Sequence, residues 1–111
     1  MRVNKVMLAG NLTRDPELVG SEDNVCKFGM AINDYKDKVH FIEVTAFNRG
    51  TYLLAENINS NFAKGSPIFI EGRLDYTTWE SKDGDKRNQL GVVVDNFQFV
   101  GKKDDNDNQP F

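Results

Sequence analysis

The stretch YLLAENINSNFAKGSPIFIEGRLDYTTW, residues 52–79, joins two different periodicities in one segment. In its first half, Leu54, Ile58 and Phe62 recur every four residues, with polar residues between them. This spacing places the three apolar side chains on one side of a helix, so it predicts a short amphipathic helix over 52–62. A Lys-Gly pair follows, and a glycine just after the last apolar position is typical of a helix C-terminal cap.

The second half of the stretch changes to the pattern of a strand. Pro67 opens this strand, which we expect to run over 67–79. Gly72 lies inside it and predicts a bulge or a sharp bend. The polar segment SKDGDKR, residues 81–87, then supplies a hairpin tip with an Asp-Gly turn, and the return strand follows over 89–100.

Three further strands are predicted before the helix, over residues 3–12, 26–33 and 39–47. The third of them alternates, with Ile42, Val44 and Ala46 forming a plain aliphatic face. The complete order is strand, strand, strand, helix, strand, strand. We interpret this order as an all-β domain with one helix, a five-stranded barrel of the OB-fold type, in which curvature at Gly72 helps the sheet to close. Periodicity alone leaves an open α+β sheet as an alternative.

Charge is distributed unevenly along the chain. Residues 1–103 hold all 14 basic side chains and 14 of the 17 acidic ones, so the net charge of −3 comes from residues 104–111. That segment has too few apolar residues to fold alone. We therefore predict an OB-fold domain over 1–101 and a disordered acidic C-terminal tail over 102–111. Because the domain is neutral, a basic patch on it requires that charge be segregated onto one face.

Composition argues against several classes of protein. Cys26 is the only cysteine, so no internal disulfide forms, and its place in an alternating strand is typical of a small buried residue. We find neither an apolar run long enough for a membrane span nor a secretory signal, which favours a cytoplasmic location and no membrane partner. His40 is the only histidine and suits a structural role, and no metal site, cofactor or catalytic residue is predicted.

Two of the predicted strands carry an unusual second face. On the strand over 39–47 it consists of Phe41, Glu43, Thr45 and Phe47. On the strand over 67–79, unless Gly72 shifts the register, it consists of Phe69, Glu71, Arg73, Asp75, Thr77 and Trp79. Such faces suit single-stranded nucleic acid, because bases stack on aromatic rings while Lys and Arg pair with phosphates. The basic side chains available for phosphates are Arg2, Lys5, Lys27, Arg73, Lys82, Lys86 and Arg87.

Aromatic residues in strands are more often core residues than binding residues. On that ground we assign the following to the core: Phe28, Phe62, Phe97 and Phe99. Trp79 is assigned to binding because polar residues surround it at the mouth of the hairpin. The residues alone leave Phe41 and Phe47 undecided between the two roles. The basic residues of the hairpin also fit a simple solvated tip, since Asp83 and Asp85 dilute their charge.

Three stretches carry a resemblance to a known family: VNKVMLAGNLTRDPEL at 3–18, FAKGSPIFIEGRLDYTTW at 62–79, and an acidic tail ending in Pro-Phe. Together they resemble bacterial-type single-stranded DNA-binding protein, over residues 3–100 and the tip of the tail. The resemblance implies an OB-fold domain that assembles as a homotetramer, over which DNA wraps without strong sequence preference.

The resemblance also assigns roles to individual positions. Base-stacking positions of the family correspond to Trp79 and Phe47, and to Phe41 in place of a tryptophan. Tyr35 lies near a further stacking position. Basic positions near the start of the family pattern correspond to Arg2 and Lys5. The chain departs from the family in having one tryptophan and a neutral domain, which imply weaker or more salt-sensitive binding. Its linker to the acidic tip is also short, which should limit how far bound partners can move. A compact phage-encoded or small-genome version has this appearance.

The tail has its own implied role, as a docking peptide for replication, recombination and repair proteins. Phe111, preceded by Pro110, can fill an apolar pocket on a partner, while Asp104, Asp105 and Asp107 steer the tail toward a basic rim. A solubilising tail would account for the acids but not for the phenylalanine. We also hypothesise that the tail competes with DNA for the basic face of the domain.

The sequence therefore predicts a non-catalytic protein that coats and protects single-stranded DNA in replication, recombination and repair. It would act in a bacterial nucleoid or a phage-infected cell and recruit partner proteins through its tail. One alternative is an OB-fold primosome-type adaptor with weak DNA binding. Another is a small hydrolase or nuclease, which would depend on a divalent metal.

Overall fold

The computed structural model describes residues 1–100, except for the side chain of Trp79. In order along the chain, the elements are β1 (Val6–Leu12), β2 (Glu17–Val19), β3 (Val25–Asn33), β4 (Val39–Phe47), α1 (Leu54–Asn61), β5 (Pro67–Glu80) and β6 (Lys86–Phe99). The predicted all-β domain with one helix is therefore confirmed. The predicted tail over 102–111, with the proposed docking residues, lies outside the described residues.

The strands form a single sheet that closes on itself. Their order is β1-β5-β6-β4-β3-β2, and β1 also pairs with β3 through Asn11 and Leu12. All pairings are antiparallel except a short parallel contact between β4 and β6. This closure confirms the OB-type barrel, and the alternative of an open sheet is wrong.

The short strand β2 is an element that the sequence analysis missed. Its three residues pair with Val25, Cys26 and Lys27 of β3 at the edge of the sheet. Three residues are too few to show an alternating pattern, so periodicity could not distinguish β2 from the loop around it.

The core fills the barrel from the inner faces of the strands and from one side of the helix. Cys26, Phe28 and Val44 are completely buried, and α1 adds the buried Leu54 and Ile58 at one end of the barrel. The first helical N–H groups are capped from outside the helix, because the Asn48 side-chain oxygen accepts from Ala55 N–H and Glu56 N–H. The core is apolar throughout, since no polar or charged residue among those described is buried.

Three of the four predicted core phenylalanines pack as expected, and the fourth needs a correction. Phe28 and Phe62 are buried, and Phe97 packs partly buried against the core. Phe99 is 57% exposed. It is the last residue of β6, and it stacks on Phe62 with 5.1 Å between ring centroids, so one face of the ring is covered while the side chain stays largely exposed.

The predicted irregularity at Gly72 is present, but the extra residue belongs to the partner strand. Glu71 pairs with Asn96 and Gly72 pairs with Val94, which leaves Asp95 of β6 unpaired as a β-bulge. A side chain at position 72 would overlap the carbonyl oxygen of Val93, so only glycine allows this close approach. The alternation of β5 itself is therefore not interrupted.

Beyond Gly72, β5 and β6 continue as a two-stranded arm, defined here as residues 73–93. Its base still belongs to the barrel, because Val92 and Val93 pair with Val44 and Thr45 of β4. Its paired rungs run from Arg73–Val93 to Glu80–Lys86. The turn at its tip is closed by the Ser81 N–H donating to the Asp85 carbonyl, with Gly84 at φ 87°. The predicted hairpin is thus confirmed, with both strands longer than expected.

Candidate nucleic-acid interface

The outer faces of five strands, β2 to β6, form one open groove across the barrel, called the outer groove here. It consists of two overlapping depressions of about 350 and 460 Å³ that share Lys27, Thr45, Asp75, Thr77 and Val93. The remaining side chains and backbone come from Val19, Val25, Glu43, Phe47, Arg73, Gln89, Gly91 and Val92. The mixed faces predicted on β4 and β5 thus lie on one surface, although β6 separates the two strands.

Phe41 and Phe47, which the sequence left undecided, both lie outside the core. Phe41 is 73% exposed and Phe47 is 39% exposed, and Phe47 lines the outer groove. They share the outer face of β4 with Glu43 and Thr45, since successive strand residues point to opposite faces. They are six positions apart, a distance of about 20 Å along an extended strand. Both rings are therefore accessible, one at each end of the strand.

Tyr35 lies near the Phe41 end of β4. It is 89% exposed in the loop of residues 34–38 that joins β3 to β4, and Lys36 Nζ lies 5.6 Å from the centre of its ring. The loop is ordered by Asp34, whose carboxylate accepts from the N–H groups of Lys36 and Lys38. A third contact, 2.9 Å, joins the same carboxylate to His40 Nε2.

The predicted structural role of His40 fits this contact. The ring is exposed rather than buried, and it braces the loop through Asp34. The hydrogen bond from His40, with the two N–H groups, lowers the pKa of Asp34. Among residues 1–100, no group of three His, Cys, Asp or Glu side chains is placed to hold a metal ion.

Negative charge inside the groove is partly cancelled by an arginine from outside it. Arg14 reaches over Gly29 and donates two hydrogen bonds to the Glu43 carboxylate, at 2.9 and 3.1 Å. A Cβ at position 29 would come 2.9 Å from Arg14 Nη1, so glycine leaves the path open. The hydrogen bond to Glu43 raises the pKa of the Arg14 guanidinium. Glu43 therefore presents little net charge to a strand in the groove.

A second charged cluster lies at the Phe47 end. The Asp95 carboxylate oxygen Oδ1 accepts from Arg73 at 2.7 Å and from Arg49 at 3.1 Å. Sequence analysis named Arg73 but missed Arg49, which follows β4 in a turn. A single arginine beside Gly50 is too common a pattern to signal a site, and its distance of 46 residues from Asp95 hides the pairing.

The remaining predicted basic residues are distributed over the molecule. Lys27 lines the groove, whereas Lys82, Lys86 and Arg87 are exposed on the distal half of the arm. Arg2 and Lys5 are exposed before β1 and do not line the groove. Between those two, Asn4 is bonded in both directions to the backbone of Leu74, which ties this segment to the base of the arm.

The backbone of Trp79 pairs with Arg87 near the tip of the arm. Alternation along β5 puts position 79 on the same side of the strand as Arg73, Asp75 and Thr77, all of which line the groove. Its side chain is outside what the structure describes, so its role in stacking stays a prediction. The same holds for the tail residues Asp104, Asp105, Asp107, Pro110 and Phe111.

No helix within residues 1–100 combines the length and apolar character needed to cross a membrane.

Comparison with known proteins gives a consistent match over the same part of the chain. Residues 3–100 match the single-strand binding protein family.

Three curated proteins illustrate the similarity. The chain is 35% identical over 115 residues to single-stranded DNA-binding protein 1 of Staphylococcus aureus strain MSSA476, covering 96% of this chain and 71% of that protein. It is 38% identical over 110 residues to the single-stranded DNA-binding protein of Wolinella succinogenes, covering 90% and 65%. For the single-stranded DNA-binding protein of Clostridium perfringens, identity is 36% over 103 residues, covering 88% and 66%.

Proposed function

Because the chain belongs to the single-strand binding protein family, we propose that it binds single-stranded DNA without strong sequence preference. The observation that carries this proposal is the outer groove, which combines an accessible aromatic ring, Phe47, with Lys27 and Arg73 on one continuous surface. Membership of a family of binding proteins also confirms the expectation that the chain is not an enzyme.

Stacking supplies the first part of the proposed binding energy. Phe41, Phe47 and Tyr35 expose their rings to solvent, and a base that covers such a ring gains about 1–3 kcal/mol. Every base has a face that can stack, so this term discriminates little among sequences. We assign Trp79 to the same role at the far end, on the arm.

Phosphate contacts supply the second part. Lys27, Arg49 and Arg73 lie in or beside the groove. On the arm we assign the same role to Lys82, Lys86 and Arg87, although Lys86 pairs with Glu80 on the face opposite to the groove. Each phosphate neutralised releases counterions, so the affinity should fall as salt rises. Acidic groups limit this term, because Asp75 lines the groove and Asp95 already pairs with two arginines. Arg2 and Lys5 contribute only if the strand continues past the arm base.

The wider role rests on sequence and family. We propose that the protein coats and protects single-stranded DNA in replication, recombination and repair, as a homotetramer in the cytoplasm. Residues 104–111 recruit partner proteins in this proposal, with Phe111 as the apolar anchor and Asp104, Asp105 and Asp107 as the steering charges.

Tryptophan fluorescence tests the proposal directly, because Trp79 is the only tryptophan in the chain. We expect strong quenching when a thymine oligonucleotide is added, and weaker binding at high salt. Quenching that fails while a gel shift still shows binding would remove Trp79 from the site. No binding in either measurement would reject the proposed function and favour the adaptor.

A further inference from the structure

Arg49, Arg73 and Asp95 form a cluster at the Phe47 end of the groove. One arginine would be enough to neutralise the Asp95 carboxylate, but two contact it. Both guanidinium groups contact the same oxygen, Oδ1 of Asp95. Their contacting nitrogens must therefore lie within about 6 Å of each other, even though like charges repel. Two cations on one carboxylate leave a net charge of +1.

The β-bulge in β6 determines the direction of the Asp95 side chain. Asp95 is the unpaired residue of the β-bulge, so its direction is determined by the bulge rather than by the regular pleat of β6. Gly72 allows the two backbones to approach closely at this point. Bulges commonly redirect a side chain beside a functional surface.

A second element is fixed against the same bulge. The turn that carries Arg49 is closed by two backbone hydrogen bonds of 2.8 Å between Arg49 and Tyr52. The Tyr52 hydroxyl then donates to the Asn96 side chain, next to Asp95, at 3.2 Å. The turn and the bulge are therefore joined at two points, and Arg49 is presented from a braced loop.

We propose that Asp95 is a positioning residue that holds Arg49 and Arg73 side by side as a binding site for one phosphate of the DNA backbone. Each guanidinium has five N–H donors, and the contact with Asp95 uses one of them, so the others remain for a phosphate. Phe47 and Arg73 line the same depression, so a nucleotide whose base stacks on Phe47 brings its phosphate to this pair. This inference rests on the proposed function.

The opposite role, in which Asp95 masks the arginines, predicts the opposite sign for one substitution. Asp95→Asn removes a negative charge beside the DNA, so masking predicts tighter binding and a steeper dependence on salt. Positioning predicts weaker binding, because a neutral amide holds the two guanidinium groups less strongly than a carboxylate does, so flexible arginine side chains must then be ordered when DNA binds. The two roles therefore cannot be confused in a titration.

The experiment measures the affinity of the full chain for a thymine oligonucleotide at several salt concentrations. For Asp95→Asn we expect about a three- to tenfold loss of affinity. We also expect the slope of log K against log salt to shrink by about 1. Glu56→Gln is the matched control, since it removes the same charge from the exposed face of α1, and its affinity should not fall. Tighter binding or no change for Asp95→Asn would overturn the proposal.

Arg73→Lys gives a second and independent arm. It keeps the charge but loses the planar fork, so we expect a similar loss of affinity, and little further loss when it is combined with Asp95→Asn. Additive losses would overturn the coupling. Thermal unfolding of each variant separates loss of fold from loss of binding. If the unmodified protein binds no oligonucleotide, it is the proposed function that fails; if it binds and the variants do not differ, only the positioning role fails.

Discussion

The two faces of strand β4 differ in the size and the exposure of the apolar side chains that they carry. On the inner face, Val44 and Ala46 are completely buried in the barrel. On the outer face, Phe41 and Phe47 remain exposed, although aromatic rings gain more from burial than either inner residue does. A stable fold alone would favour the reverse placement, so the exposed rings indicate a surface kept for a ligand.

The two faces also differ in how their polar groups are treated. No polar or charged residue among those described belongs to the buried class, so the inner face carries no charge. On the outside of the barrel, Glu43 of β4 and Asp95 of β6 each pair with arginine, in ion pairs that are partly exposed. Exposed pairs add little to stability, so we assign the inner face to folding and the outer face to binding. Each prediction below tests this division.

The largest effect is expected from the inner face. Phe28→Ala empties a site that is completely buried, which costs about 3–5 kcal/mol in the free energy of unfolding. Phe41→Ala, the matched change on the outer face, should stay within about 0.5 kcal/mol. Urea denaturation at one protein concentration measures both. If Phe41→Ala proved as costly as Phe28→Ala, the division between the faces would be wrong.

The bulge supplies the next effect. Gly72→Ala forces a methyl group against the Val93 backbone, and overpacking of this kind costs about 1–3 kcal/mol in stability. Gly91→Ala is the graded control, because its new Cβ would lie 3.1 Å from the Glu43 carbonyl oxygen and needs only a small adjustment. In thermal unfolding, the melting temperature of Gly72→Ala should be well below that of Gly91→Ala. Equal melting temperatures would show that the sheet yields freely at the bulge.

On the outer face the effect should move from stability to binding. Phe41→Ala should weaken binding of a thymine oligonucleotide by about 1–3 kcal/mol if a base stacks on this ring. Tyr76 is a matched control, an exposed aromatic residue on the opposite face of β5 from the groove. Tyr76→Ala should bind normally. If the two variants lost affinity equally, exposed aromatic residues would contribute to binding wherever they lie, and the outer face would not be a specific binding surface.

A smaller change is expected from Glu43. Glu43→Gln frees Arg14 and removes a negative charge from the groove, so binding at low salt should tighten by less than about 1 kcal/mol. The gain should vanish at high salt, because exposed charges are screened. This sign is opposite to that expected for Asp95→Asn, since Glu43 cancels one arginine whereas Asp95 brings two together. Weaker binding of Glu43→Gln would instead make the Arg14 pair part of the groove's scaffold.

The division between the faces was largely predictable on the inner side. Alternation in 26–33 and 39–47 places Phe28 and Val44 inward, because burial of apolar side chains follows the pleat of the strand. Such patterns are local, so a sequence displays them directly. The bulge is harder, because the run Val92, Val93, Val94 is apolar on both faces and hides the phase of β6. Only the pairing with β5 reveals that Asp95 is the extra residue.

The outer side was only partly predictable for a physical reason. Composition and alternation identify Phe47 and Arg73 as candidates, and the groove brings them together. The ion pairs between Arg14 and Glu43, and between Arg49 and Asp95, join residues 29 and 46 positions apart. Such contacts depend on how the barrel closes, and no local pattern encodes them. The charge of the binding surface therefore cannot be summed from the sequence.

The smallest effect is expected at the loop that presents Tyr35. The hydrogen bond from His40, together with the N–H groups of Lys36 and Lys38, lowers the pKa of Asp34 below its ordinary value of 3.8. Because the folded value is lowered, the ionised carboxylate stabilises the loop above about pH 4, and this contribution is lost as pH falls through the folded pKa. NMR titration of the Asp34 carboxyl carbon should give a midpoint below 3.8.

Substitution of the histidine tests the cause of that shift. In His40→Gln the midpoint of Asp34 should rise toward its ordinary value, because the largest contribution to the lowered pKa is removed while the two N–H groups remain. Tyr35 should then keep its contribution to DNA binding at neutral pH, since those two hydrogen bonds still hold the loop. An unchanged midpoint would mean that the backbone N–H groups alone stabilise the carboxylate. In that case the loop on the outer face would be ordered by its own turn and would not depend on β4.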